Sequence, residues 1–150
     1  MSQTGLPVGP LITIASGGAE GGGGPFVAFD GTNYLLVWER EHPTLADQCD
    51  IYGQFISTAG ALVGGAFPIC NDAGFQGLSG KDPIVFTGTQ YLVTWSDYTV
   101  QDSVGLRGRH VSPAGELGTA FDIEATIGVD DLEYSVAGDG VSALVVWEAS

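Results

Sequence analysis

The sequence predicts an all-β protein of antiparallel strands, arranged in repeated units of about 55 residues. Glycine is abundant, with 24 among 150 residues, which is typical of many tight turns and not of long helices. A nine-residue block that ends in tryptophan occurs three times, and Trp38, Trp95 and Trp147 are spaced 57 and 52 residues apart. The segments between these blocks are short apolar runs bounded by turn residues, as strands are.

The tryptophan block predicts a turn followed by a strand. It reads Asp-Gly-Thr-Asn-Tyr-Leu-Leu-Val-Trp at 30–38, Thr-Gly-Thr-Gln-Tyr-Leu-Val-Thr-Trp at 87–95 and Asp-Gly-Val-Ser-Ala-Leu-Val-Val-Trp at 139–147. Aspartate followed by glycine between two apolar runs indicates a hairpin. We therefore expect structural turn roles for Asp30 and Asp139, where Thr87 takes the same place in the middle copy.

Two further blocks recur downstream of the first. The segment 51–60 matches 106–115, and both end in the turn pattern Ser-x-Ala-Gly, which fits a type I turn closed by a left-handed glycine. The segment 63–69 resembles 117–123, and the N-terminal residues 8–14 also fit this third block.

Each unit is therefore predicted to contain four strands, named a to d here. Strand a covers 25–29, 82–86 and 134–138; strand b covers 34–39, 91–96 and 143–148; strand c covers 50–57 and 105–112; strand d covers 10–15, 66–70 and 120–124. The predicted domain order is strand d of a split unit with a glycine-rich linker (1–24), unit 1 (25–81), unit 2 (82–133) and the start of unit 3 (134–150). The third unit is thus incomplete and divided between the termini.

Strand b indicates how the units pack. It reads Tyr-Leu-Leu-Val-Trp without polar alternation, so we expect both of its faces to be covered. Sheets stacked around an axis provide such cover. The pattern D/T-G-x-x-Y-L-x-x-W, followed by I/L-x-G-x-x-I/V-S-x-x-G, resembles the β-propeller repeats of bacterial extracellular or surface proteins. That resemblance implies four-stranded antiparallel blades.

Composition excludes several partners. The net charge is −14, with four cationic side chains, and phosphate binding needs a basic footprint, so neither nucleic acid nor an anionic membrane surface is expected. No run of 18 apolar residues predicts membrane insertion. The first residues show no export signal, and the resemblance alone implies an extracellular or cell-surface location, as for secreted proteins.

The acidic residues cluster at one predicted end of the units. Fourteen of the 18 lie in or beside the b–c and d–a loops, which are longer and more variable than the a–b and c–d turns. This end fits a cation, a basic protein partner or a polyhydroxylated ligand such as a glycan; equally, the charges can simply solvate exposed loops. The ligand-binding candidates are Glu39, Asp47, Asp50, Asp97, Tyr98, Asp102 and Glu148.

No cofactor is expected, although Ca²⁺ remains an alternative. Asp47, Asp50, Asp97 and Asp102 are the first candidate ligands for it, without support from a recognised calcium loop. Tyr52, Tyr98 and Tyr134 depart from the repeat and are aromatic ligand candidates, whereas the three tryptophans belong either to the core or to an exposed stacking platform.

A non-catalytic binding module for carbohydrate or protein is the predicted function. The alternatives are a structural or adhesive segment of a larger surface protein and a glycoside-hydrolase-type propeller fragment. Sialidase-like chemistry needs a cluster of arginines, and Arg40 is the one arginine expected near the acidic end. Open strand edges predict a homo-oligomer or contact with further blades of a longer chain.

The two cysteines, Cys49 and Cys70, fall at the start of strand c and the end of strand d of the same unit. A three-residue loop at 58–60 pairs Ser57 with Ala61. One extra residue, placed as a bulge at Gly64 and Gly65, then brings Cys49 opposite Cys70. The sequence therefore predicts a disulfide and, with it, an oxidising compartment; the alternative is a pair of buried free thiols.

Overall fold

The computed structural model describes residues 9–14, 23–42, 44–45, 48–98, 104–128 and 133–148, with the side chains of 126–128 left out. The predicted all-β fold of antiparallel sheets is confirmed, since these residues form strands, turns and loops and contain no helix. The strands fall into three antiparallel sheets. The propeller arrangement itself remains a proposal.

Sheet 1 is a four-stranded meander in the order β1-β2-β3-β4, which contains the predicted strands a to d of unit 1. Its strands are β1 (Phe26–Phe29), β2 (Asn33–Glu41), β3 (Cys49–Ser57) and β4 (Leu62–Cys70).

Sheet 2 repeats this meander and gains one short strand. It contains β5 (Gln76–Gly77), β6 (Ile84–Phe86), β7 (Tyr91–Asp97), β8 (Val104–Val111) and β9 (Phe121–Gly128). Both β5 and β6 pair with β7, and β7, β8 and β9 follow in order. Sheet 3 is the hairpin of β10 (Tyr134–Gly138) and β11 (Ala143–Trp147).

The turns follow the sequence prediction. Asp30 Oδ1 accepts the N–H groups of Thr32 and Asn33, both at 2.7 Å, and Asp139 Oδ1 does the same for Val141 and Ser142. Ser57 donates its backbone N–H to the carbonyl oxygen of Ala61 at 2.8 Å, which confirms the three-residue loop. Gly60, with φ of 79°, closes that loop in the left-handed region that glycine tolerates.

The sheets stack face to face, with sheet 2 in the middle. One apolar cluster joins sheets 1 and 2 and includes Leu35, Val37, Tyr91 and Trp95. A second cluster, which includes Leu92 and Val136, joins sheets 2 and 3. Accordingly, β7 is buried at all seven positions, as predicted for strand b. Strands β2 and β11 carry exposed positions as well as buried ones, because they belong to the outer sheets, although Trp38 on the outer face of β2 is buried too.

The prediction of an N-terminal strand d is wrong within the described residues, since residues 9–14 form no strand. Residue 15 of that prediction lies outside the described part of the chain. A strand needs a neighbouring edge to satisfy its backbone groups, and these residues pair with none. The side chain of Ile12 lies against Gly60 of the loop that follows β3.

The predicted disulfide is also wrong, because Cys49 and Cys70 are buried free thiols. The bulge lies where predicted but holds three residues, 64–66, opposite Gln54. A second irregularity follows after Tyr52, so that Cys70 lies opposite Ile51 and not Cys49. Without the bridge, the cysteines no longer argue for an oxidising compartment.

Candidate functional site

The candidate ligand residues at the acidic end lie in different structural surroundings. Asp47 and Asp102 lie outside the described residues. Asp50 is buried on β3 and lies opposite Arg40 of β2 in the strand register. Glu39 and Asp97 make specific internal contacts, and Tyr98 packs against Phe75 with ring centroids 5.6 Å apart. Glu148 alone of the described candidates lines an open groove.

Glu39 joins two segments of the chain to the end of β2. Its Oε1 accepts the backbone N–H of Leu78 at 2.5 Å, and its Oε2 accepts that of Gly23 at 3.1 Å. Hydrogen bonds to a carboxylate are stronger than neutral ones. Glu39 therefore holds the segment before β6 against sheet 1, and each of its carboxylate oxygens already accepts one backbone hydrogen bond.

Asp97 belongs to a cluster around Arg107, a residue that the sequence did not single out. Arg107 Nη1 lies 3.0 Å from Asp97 Oδ2 and 3.2 Å from Asp72 Oδ2, and Arg107 Nε lies 3.1 Å from Asp122 Oδ1. Burial opposes the charge of Arg107, but its hydrogen bonds and proximity to these carboxylates raise the pKa of the guanidinium. Three carboxylates thus balance one cation.

This cluster corrects the expectation that Arg40 is the one arginine near the acidic end. Arg107 lies within β8, but its guanidinium reaches Asp97 at the end of β7, where it is engaged by three aspartates. Arg40 stacks over the ring of Tyr52 at 4.8 Å. Both arginines are thus engaged by groups of the chain itself. Repeat position is a signal that could have found Arg107, because it aligns with Tyr52 beside the loop end.

The remaining tyrosine candidate, Tyr134, has a packing role. Its hydroxyl donates to the backbone carbonyl of Thr94 at 2.9 Å, and its ring lies over Gly80 so closely that a Cβ there would lie 2.3 Å from it. Burial is the main cause that raises the pKa of Tyr134. This residue therefore fixes sheet 3 on sheet 2.

An open groove of about 420 Å³ lies at the end of the β10–β11 hairpin. Its lining consists of Lys81, Glu133, Tyr134, Ser135, Val146, Trp147 and Glu148. Lys81 Nζ lies 3.6 Å from Glu133 Oε2, and both side chains are exposed. The backbone N–H of Glu148 donates to the carbonyl oxygen of Glu133 at 3.1 Å, which closes the hairpin beside the groove.

Trp147 gives the groove its aromatic surface. Its side chain is 38% exposed, whereas the aligned Trp38 and Trp95 are 9% and 0% exposed. The repeat therefore supplies a core tryptophan twice and an exposed one at the third position. The three sequence blocks are too similar to reveal this difference, since it arises from the absence of a paired strand beside β11 among the described residues.

The described residues contain no group of three or more His, Cys, Asp or Glu side chains placed to hold a metal ion. The same part of the chain has no helix of the length and apolarity required to cross a bilayer. Comparison of the chain with protein-family models, with curated proteins and with solved structures found no match.

Proposed function

We propose that this chain is a non-catalytic binding module, built from blades of the β-propeller kind, that holds a carbohydrate in the groove beside Trp147. The exposed indole of Trp147 is the observation that carries this proposal. An aromatic face offers an apolar surface to the C–H side of a sugar ring, and polar groups around it fix the orientation of the hydroxyls. Glu133 and Glu148 supply acceptors, and Lys81 supplies a donor.

The blade arrangement has three supports in the described residues. Sheet 1 is a simple four-stranded meander, and sheet 2 repeats it. The strands that correspond to strand a in the three sheets are β1, β6 and β10. They lie side by side, because β6 contacts both β1 and β10. The same faces of successive sheets meet at both boundaries. Stacked meanders with adjacent first strands are typical of propeller blades.

We propose binding without catalysis because the groove is open to solvent. Catalytic sites generally exclude water and surround the reacting group with preorganised charges. Here the Lys81 and Glu133 side chains are 76% and 68% exposed at their contact. Such groups orient a hydroxylated ligand but give little electrostatic stabilisation to a transition state.

A structural segment of a larger surface assembly is the second candidate. It is favoured by apolar side chains that remain exposed on the two outer sheets, such as Val27 and Phe29 on sheet 1 and Leu144 on sheet 3. Both functions are consistent with an extracellular or cell-surface location, which is part of the proposal.

A glycan array followed by titration calorimetry tests the carbohydrate proposal. We expect binding of neutral or cationic glycans, a shift of tryptophan fluorescence on saturation, and at least about tenfold weaker binding for Trp147→Ala. The matched control is Val141→Ala, which removes an exposed apolar side chain outside the groove. Absence of glycan binding by the folded protein, or equal binding by Trp147→Ala, would overturn the proposal.

A further inference from the structure

Sheet 1 holds sheet 2 through one face of β2. Leu35 and Val37 on this face are fully buried in the cluster with Tyr91, Val93 and Trp95 of sheet 2. Glu39, the next residue on the same face, accepts the backbone N–H of Leu78 from the segment that leads into sheet 2. Two apolar side chains and a carboxylate are thus the contribution of β2 to the sheet 1 half of this boundary, and β3 and β4 add further apolar residues such as Ile51, Phe55 and Ile69.

The outer face of sheet 3 carries the same three residue types in the same order. Leu144 and Val146 on β11, and Glu148 directly after it, align without a gap with Leu35, Val37 and Glu39. Leu144 is 67% exposed and Val146 is 52% exposed. The β2 residues that hold the next sheet inside the chain therefore have counterparts at sheet 3, which stay exposed in the described part of the chain.

The other half of the boundary is also duplicated. Sheet 2 meets sheet 1 through Ile84, Phe86, Tyr91 and Val93, which pair across β6 and β7. The outer face of sheet 1 presents the aligned set: Val27, Phe29, Tyr34 and Leu36.

The aromatic pair within this set shows the difference between the covered and the uncovered copy. Phe86 and Tyr91 have ring centroids 5.0 Å apart, and Tyr91 is fully buried. Phe29 and Tyr34 have centroids 4.6 Å apart, yet they are 43% and 39% exposed. The same aromatic pair therefore exists twice, once in a boundary and once on the surface.

The structure assigns these two outer faces to each other, and we propose that two copies of this chain dock head to tail. The sheet 3 outer face of one copy (Leu144, Val146, Glu148) receives the sheet 1 outer face of the next copy (Val27, Phe29, Tyr34, Leu36). A second copy is the occupant to which the residues point, because β11 repeats the β2 part of one half of the boundary and β1–β2 repeat the β6–β7 part of the other half. Such an interface is heterologous, so it produces closed rings or open chains.

The docking face overlaps the groove of the carbohydrate proposal, but separate substitutions can test the two proposals. Val146 and Glu148 are shared with the groove, but Leu144, Phe29 and Tyr34 do not line it. Substitutions at these three positions therefore test docking without altering the groove, and loss of docking leaves glycan binding as a separate measurement.

Sedimentation velocity of the unmodified protein and of two single-face variants tests the proposal. We expect the unmodified chain to associate with rising concentration below about 1 mM. Tyr34→Asp places a charge on the sheet 1 face and Leu144→Asp places one on the sheet 3 face, and each weakens association at least about tenfold. The matched control, Val141→Asp, changes an exposed apolar residue of the β10–β11 turn and leaves association unchanged.

Mixing the two variants distinguishes head-to-tail docking from other modes. Each variant retains one intact face, so an equimolar mixture should form a dimer that neither variant forms alone. If Leu144→Asp still associates by itself, the sheet 1 faces pair with each other and the proposal fails. A monomeric unmodified chain at all concentrations, or a mixture that remains monomeric, also overturns it. Far-ultraviolet circular dichroism verifies that the variants are folded, and Phe29→Asp provides a second substitution on the sheet 1 face.

Discussion

The hydroxyl of Tyr91 on sheet 2 donates a hydrogen bond of 3.0 Å to the backbone carbonyl of Asn33 at the start of β2 on sheet 1. The Tyr91 ring lies between those of Phe55 and Phe86, with centroids 6.0 and 5.0 Å away. One side chain therefore joins the two sheets both by packing and by a polar contact. The first two predictions follow from this position.

Replacing Tyr91 with phenylalanine should lower the free energy of unfolding by about 1 kcal/mol, because the Asn33 carbonyl loses its partner while the packing remains. Tyr91→Ala should cost about 3–5 kcal/mol, since it also leaves a cavity. Urea unfolding followed by fluorescence measures both values. Tyr34→Phe, the aligned exposed residue, serves as the control and should change the stability of the monomer by less than about 0.5 kcal/mol. Equal losses at positions 34 and 91 would contradict this account.

Stability at alkaline pH should depend on the same hydroxyl. Burial, and then the neighbouring carboxylate of Asp30, raise the pKa of Tyr91 above its ordinary value of 10.0. The folded state therefore favours the neutral phenol. The contribution of this phenol to the free energy of unfolding is complete below pH 10.0 and is lost as the pH rises further. Unfolding measured across this range should show a steeper loss for the unmodified protein than for Tyr91→Phe. Parallel curves would contradict the prediction.

Glu39 should contribute to the docking of the loop before β6. Glutamine keeps one acceptor oxygen but turns an amide N–H₂ toward one of the two backbone N–H groups. We expect Glu39→Gln to lower the free energy of unfolding by about 1–3 kcal/mol. Glu41→Gln, an exposed change at the end of the same strand, is the matched control and should be nearly neutral in chemical denaturation.

The three-residue bulge of β4 should depend on Gln54. The Gln54 side chain is buried, and its Nε2 lies within hydrogen-bond distance of the carbonyl oxygens of Phe55, Val63 and Gly64 at 2.9, 3.0 and 3.3 Å. Gln54→Ala removes this donor and should destabilise the protein by about 1–3 kcal/mol. Hydrogen exchange should localise the loss to β3 and β4, with the exposed Gln90→Ala as control; uniform loss across sheet 2 would argue against a local role.

Cys49 and Cys70 should titrate as two free thiols when the protein is denatured without reductant. In the folded protein, burial raises the pKa of Cys70 to about 11 and also raises that of Cys49. Because the thiolate is the reactive form, alkylation should be slow at neutral pH and should accelerate toward that value or on unfolding. Mass spectrometry of iodoacetamide-treated samples measures the alkylation rates of the folded and the unfolded protein. Without reductant, an unalkylated species lighter by two hydrogen atoms would instead reveal a disulfide.

The sequence by itself determined the strands and turns. Short apolar runs, the Asp-Gly and Ser-x-Ala-Gly turns and the recurrence of whole blocks are readable along the chain, so strands a to d of sheets 1 and 2 lie where predicted within a few residues. It did not reveal β5, whose two residues pair with the end of β7 from within a loop. It also misplaced the cysteines, because the register of a strand pair depends on how many bulge residues the packed sheet accommodates.

Only the tertiary structure decided which side chains are available for function. Glu39 and Asp97 read as loop-end acids in the sequence, but the stacking of sheets brings Leu78 and Arg107 to them. Trp147 reads as a third core tryptophan, but its sheet has one covered face and an unpaired edge among the described strands. The physical reason is that burial and pairing belong to the contacts between sheets. Similar repeats have different surroundings, depending on whether their sheet lies in the middle of the stack or at one of its ends.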